Sequence, residues 1–206
     1  MRTETVGVTE TLIESAKKEF LEHGFQNASL RRISSESGVS TGSIYTRFGD
    51  KAGLFSAVVK PAADGLMELY LESITAARES GDPAEATSQG NEGTELVLKY
   101  IYENFDVFKL IFCHSAGTEY ERYFDELAEI EEKYYREFVK QFSRRENMVS
   151  DFFIHVICRT GWSYIYEVVS HDLSYDEAQI FMKSIREFCF AGWGKVLGQN
   201  YEDLGL

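Results

Sequence analysis

The chain has 206 residues, of which 44% are hydrophobic and 27% charged, with a formal net charge of −13. That length fits one large domain or two small ones, and the composition excludes a disordered chain. The longest apolar runs are short, for example Phe152-Phe153-Ile154, and the first ten residues hold no apolar signal segment, so a cytoplasmic protein without a membrane span is expected.

Two prolines and long stretches without Pro or Gly predict an all-α chain. A first helix is expected over residues 9–23, where Ile13, Ala16 and Phe20 form an i, i+3, i+7 stripe and Gly24 suits the C′ position. Ser29 is an N-cap for a second helix over 30–37, and Gly38 ends it with a turn that needs positive φ. Val39 points back to the core, Ser40 caps a third helix over 41–48, and Asp50 caps a fourth that begins at Lys51. Two short helices joined by Gly38-Val39-Ser40 have the helix-turn-helix pattern, whose second helix enters the DNA major groove. That helix would expose Thr41, Gly42, Ser43, Thr46 and Arg47, with Ile44 and Phe48 inward. The spacing alone fits an ordinary helical hairpin with a solvated face equally well.

The series Ile13-Ala16-Phe20-Gly24-Phe25, Ser29-Leu30-Arg31-x-Ile33 and Gly38-Val39-Ser40-Thr41-Gly42-Ser43-Ile44-Tyr45-x-x-Phe48-x-x-Lys51-x-x-Leu54-Phe55 resembles the TetR family of bacterial transcriptional regulators. The resemblance covers about residues 8–58 and implies a DNA-binding domain over 1–54, with its motif near 29–48, followed by an effector-binding and dimerisation domain over 55–206. It further implies that Tyr45, Lys51 and Ser29 bind DNA phosphates. Thr41, Gly42, Ser43, Thr46 and Arg47 would then lie on or beside the groove, and Arg31 would reach a base edge or a phosphate. Ser34 and Ser37 stand where the family usually has alanine. Arg32 replaces a position that is often acidic, adding positive charge to the DNA side.

Helix four should run to about residue 78 with a kink at Pro61, and residues 80–93, rich in turn-formers, read as a surface loop. Helices over about 94–105, 106–113, 119–143, 149–170 and 174–197 bring the total to about nine. The last two are apolar nearly all round, which calls for burial on every face. A homodimer through a four-helix bundle answers that need, and the family resemblance implies the same. Phe181, Ile185, Phe188, Gly192 and Trp193 are the candidate interface, and one large monomeric core is the alternative. Tyr102, Phe105, Phe108, Phe112, Tyr123, Trp162 and Tyr166 are candidates to line a ligand cavity. Glu126, Glu129, Glu131 and Glu132 read as a solvated face, but carboxylates turned inward beside aromatics would suit a cationic, greasy ligand.

Residues 1–60 carry eight Lys/Arg against seven Asp/Glu and five aromatics, so nearly all the negative charge and the aromatic surplus lie beyond them. A near-neutral head on an acidic, aromatic body suggests two tasks. No catalytic trio, phosphate loop or metal-ligand spacing appears, and three scattered cysteines read as reduced thiols, so no enzyme, cofactor or metal is expected. The expected function is a repressor released from an inverted-repeat operator on double-stranded DNA by an unknown small molecule. The alternative is a DNA-binding regulator without such an effector.

Overall fold

The computed structural model describes residues 7–79, 83–143 and 149–198. Nine α-helices follow one another, and no strand occurs among the described residues: α1 Val8–Asn27, α2 Leu30–Ser37, α3 Thr41–Phe48, α4 Lys51–Glu79, α5 Pro83–Glu103, α6 Phe105–Cys113, α7 Tyr123–Phe142, α8 Asp151–Ser170 and α9 Tyr175–Leu197. A 3-10 turn, Glu119–Arg122, precedes α7. The helices divide between two compact units, and α4 contributes residues to both.

The first unit joins residues up to 65 with residues 104–123. Its core is aromatic and aliphatic: Leu12, Ala16 and Phe20 from α1, Ile33 from α2, Ile44 from α3, Leu54 and Phe55 from α4, and Phe108, Leu110 and Ile111 from α6 are buried. Phe55 meets Phe20 edge-on at 5.0 Å and Phe25 at 5.4 Å, so the residue after Gly24 folds back onto the core. Burial of each such ring stabilises the unit by about 1.5–3 kcal/mol. The α6 segment is tied in by polar links as well. The Phe25 N–H donates to the His114 carbonyl (2.9 Å), and Lys17 pairs with Asp106 at 2.9 Å.

Turn chemistry sets the short helices. Gly38 adopts φ 68°, ψ 8° and closes α2, while the Ser40 hydroxyl accepts the Ser43 N–H at the start of α3. The α4 helix continues through Pro61.

The second unit comprises residues 66–103 and those from 124 onward. Val97, Leu98 and Ile101 of α5, Leu127 and Ala128 of α7, Ile154, Trp162, Ile165, Val168 and Val169 of α8, and Ala178, Met182 and Leu197 of α9 are among its buried side chains, with Leu66 and Ala77 of α4. Ser150 caps α8, and Ser174 with Glu177 forms a full capping box on α9.

Two sequence expectations change here. Residues 83–93, read as a loop, are the first turns of α5. A Cβ at Gly93 would stand only 2.8 Å from the Ser73 Cβ, so this glycine serves a close helix approach rather than a turn. The acidic run on α7 is also not uniformly solvated. Glu126 and Glu129 are exposed, whereas Glu132 is buried and the Glu131 Oε2 atom is sealed from solvent.

Candidate nucleic-acid interface

The exposed face of α3 follows from its helical period. With Ile44 fully buried, steps of ~100° place Gly42 and Thr46 opposite it, with Tyr45 on one flank and Ser43 and Arg47 on the other. Gly42, Tyr45, Thr46 and Arg47 are exposed, and Thr41 and Ser43 are half-buried. Tyr45 is 55% exposed, and its side chain makes no hydrogen bond among the described residues. Such a ring offers its hydroxyl and one face to a partner outside the unit. The Thr46 hydroxyl donates to the Gly42 carbonyl (2.8 Å) and keeps its acceptor lone pairs outward. A Cβ on Gly42 would meet nothing nearer than the Ser40 hydroxyl at 3.8 Å, so the fold itself leaves room for a side chain there.

The other candidate contacts are more engaged. The Arg47 guanidinium donates to the Thr9 hydroxyl at 3.1 Å. Lys51 donates to the carbonyls of Gln26 (3.0 Å) and Ala28 (3.2 Å), and its ammonium sits 4.8 Å from the Phe25 ring centroid. Two of its three donors therefore hold the α1–α2 turn, and one remains for a phosphate. The Ser29 side chain makes no capping bond, so its hydroxyl is available. Arg31 is exposed and makes no ion pair among the described residues.

A buried carboxylate missing from the sequence reading organises this surface from beneath. Glu19, 6% exposed, accepts the Ser29 N–H at 2.7 Å and the Arg32 guanidinium at 2.5–3.0 Å. Burial alone would raise its pKa, but the Arg32 hydrogen bond, the Ser29 N–H and the nearby positive charge together hold it below the ordinary carboxylate value. Arg32 is thus committed inside the unit rather than adding free charge towards DNA. The backbone N–H at the start of α2 is likewise satisfied by Glu19, which leaves the Ser29 hydroxyl as its outward group. Residues 10 and 13 positions apart on separate helices leave no periodic trace, which is why the triad is invisible in sequence.

The candidate cavity residues do not converge within one unit. Phe105, Phe108, Phe112 and Tyr123 belong to the first, where Phe108 packs on Phe112 and the Tyr123 hydroxyl donates to the Ala63 carbonyl (2.6 Å). Tyr102, Trp162 and Tyr166 belong to the second, and the Tyr102 hydroxyl donates to the Leu173 carbonyl (2.9 Å). Trp162 and Tyr166, with Phe124, Asp125, Arg159 and Ser163, line a cleft of about 230 Å³. On the outer faces of α8 and α9, Phe152 is 75%, Ile180 70% and Phe188 72% exposed. Gly192 is exposed, and Phe181 and Ile185 are half-buried, whereas Trp193 stacks on Tyr135 (5.0 Å, 2°) within its own unit.

Among the described residues no group of acidic, histidine and cysteine side chains has metal-binding geometry, and no helix is long and apolar enough to cross a membrane. Residues 12–58 match the pattern described as "Bacterial regulatory proteins, tetR family". The HTH-type transcriptional repressor AcnR of Corynebacterium glutamicum is 37% identical over 62 residues, which are 30% of this chain and 33% of that repressor. The match therefore spans about a third of this curated relative. The fold is shared more widely. PfmR, a TetR-family regulator of Thermus thermophilus, superposes with TM-score 0.63 at 20% identity over 91% of this chain and 97% of its own. FadR of Bacillus subtilis, solved with stearoyl-CoA, gives 0.57 at 14% identity over 86% and 95%.

Proposed function

We propose that this chain, which belongs to the TetR family of bacterial regulatory proteins through residues 12–58, is a dimeric transcriptional repressor that reads an inverted-repeat operator with α3. The observation that carries this reading is the outward face of α3. It combines a small, uncrowded apex at Gly42 and Thr46 with an exposed Tyr45 beside it whose hydroxyl meets no partner among the described residues. A narrow apex lets the helix lie deep in a major groove, where hydroxyls meet base edges. Tyr45, Lys51, Ser29 and Arg31 at its margin fix register through phosphates.

One head carries little net positive charge and should bind weakly by itself. A second copy raises effective concentration, and a two-fold dimer matches two half-sites ~34–36 Å apart or a multiple of that spacing. The exposed apolar side chains on α8 and α9 support a second copy of this chain as the occupant of that face, with Phe188, Phe181, Ile185 and Gly192 joined by Phe152 and Ile180. Residues 1–54 then serve DNA, and residues 55–206 serve dimerisation and an effector, in the cytoplasm where the operator lies. FadR, with its bound stearoyl-CoA, supports effector binding by a body of this fold. A regulator without a small-molecule effector is the second reading, favoured by a cleft of about 230 Å³, below the ~300–1,000 Å³ of ordinary ligand pockets.

Selection of binding sites from a random duplex pool by the purified protein tests the proposal. Recovery of an inverted repeat bound by two chains is expected. A pool left without enrichment, or a single half-site bound by one chain, refutes it.

A further inference from the structure

Two buried polar atoms of the second unit lack any hydrogen-bond partner among the described residues: the Tyr70 hydroxyl on α4 and the Glu131 Oε2 on α7. Buried polar groups are normally satisfied, so one bare carboxyl oxygen and a bare phenol oxygen, with only the Trp162 indole close to both groups, call for a reason. They are neighbours, since Glu131 acts electrostatically on Tyr70 as well as on Tyr134, Tyr135, Cys158 and Cys189. Aromatic rings surround them. Trp162 meets Tyr70 edge-on at 5.0 Å, and Trp193 stacks on Tyr135 at 5.0 Å. The α8 backbone comes close at Gly161, where a Cβ would lie 3.8 Å from the orphaned oxygen. Positive charge in the region is committed elsewhere. Arg159 pairs with Glu132 and, at 3.7 Å, with Asp125, while Arg136 pairs with Glu132 at 3.1 Å and Asp151 at 3.4 Å. His155 also contacts Glu132, at 3.0 Å.

Trp162 belongs both to this cluster and to the cleft of about 230 Å³ between α7 and α8. The cleft has Phe124, Trp162 and Tyr166 as walls, with Asp125 at its edge and Arg159 neutralised by its two carboxylates. The Trp162 side chain thus lines the cleft on one side and interacts with the Glu131 carboxyl on the other.

We propose that Glu131 and Tyr70 form the polar end of a binding site for a small organic monocation with an aromatic or alkyl body, reached through the cleft beside Trp162. The inference rests on residues 55–206 being an effector domain and names the class of effector. A carboxylate supplies the counter-charge, the Tyr70 and Tyr135 rings and the two indoles supply π faces, and the apolar walls take the body of the ligand. Anionic ligands are disfavoured by the acidic body, and by the same carboxyl wherever it is ionised.

Binding moves one proton. Burial raises the Glu131 pKa to about 8, and the Trp162 indole offsets this only in part, so the carboxyl is mostly protonated at pH 7. The cation pairs with the ionised form, and the carboxyl proton passes to solvent. Affinity therefore rises with pH, by about ten-fold between pH 7 and pH 9, as the ionised fraction climbs through a pKa near 8.

Both tryptophans of the chain, Trp162 and Trp193, lie in this cluster, so intrinsic fluorescence reads the site directly. The full-length protein is titrated with benzyltrimethylammonium, with N,N-dimethylbenzamide as a neutral molecule of similar shape, and with phenylacetate. Saturable quenching by the cation alone, about ten-fold tighter at pH 9, and at least ten-fold weakened and pH-independent in Glu131→Gln, is expected. Absence of cation binding, equal binding by the amide or phenylacetate, or unchanged binding by Glu131→Gln overturns the proposal. If Glu131→Gln does not fold, the wild-type pH profile decides, and a flat profile overturns it. Titration of a selected duplex in parallel separates the two readings. Glu131-dependent cation binding that leaves duplex affinity unchanged upholds the site and refutes effector control. Sequence-specific duplex binding without cation binding refutes the site alone.

Discussion

Replacing Glu19 with alanine removes the acceptor beneath the α2 N-terminus, and the structure sets the size of the effect. The Ser29 N–H loses a 2.7 Å bond to a charged acceptor in a partly buried setting, a loss of about 1.5–3 kcal/mol. Arg32 is 53% exposed and regains water, so its loss adds little. The loss of about 1.5–3 kcal/mol corresponds to a fall in melting temperature of ~3–12 °C for a chain of this size. Differential scanning fluorimetry at pH 7 reads the shift. The pH dependence supplies an independent check. Because the Glu19 pKa is lowered in the folded state, its contribution is full above the ordinary carboxylate value of 4.5 and disappears as pH falls through the depressed folded value. Wild type should therefore lose part of its stability in that acid window, and Glu19→Ala should lose correspondingly less. A melting temperature within ~2 °C of wild type at pH 7, together with an unchanged acid limb, would refute the reasoning.

Gly42→Ala should leave the fold intact or strengthen it by up to ~1 kcal/mol, since a helical alanine replaces glycine in open space. The new methyl stands on the apex of α3, so duplex affinity measured by anisotropy should fall by at least ten-fold even as the melting temperature holds. Gly53→Ala should act in the opposite way. Its Cβ would collide with the Phe48 carbonyl, so α3 and α4 must shift and the melting temperature should drop in the same fluorimetry. Phe188→Asp combined with Phe152→Glu places charges on the exposed apolar faces of α8 and α9, and light scattering should report a folded monomer with weak operator binding.

The helix-turn-helix was legible in the sequence to the residue because its punctuation is local. Gly38 needs positive φ, Ser40 caps α3, and Ile33 and Ile44 are the apolar positions that face the core. Local punctuation misled where tertiary packing overrode it. The stretch containing Gly90 and Gly93 reads as turns, yet it is helical because Val97, Leu98 and Ile101 anchor α5 and Gly93 admits Ser73. Charge was the second blind spot. Nothing in the sequence marks Glu19 as buried, and Glu131 and Glu132 read as part of a solvated stripe. Their burial depends on partners such as Arg32, Arg159 and Tyr70 that lie on other helices, and helical periodicity in one segment carries no record of them.

Base reading by α3, with Thr46 at its apex, is tested most directly by one measurement. Wild type and Thr46→Ala are titrated against the selected operator and against each of its single-base variants at one fixed salt concentration. Loss of ~1–3 kcal/mol of discrimination at one symmetric pair of positions, with non-specific affinity retained, is the predicted result. An identical preference at every position in the two proteins would contradict it.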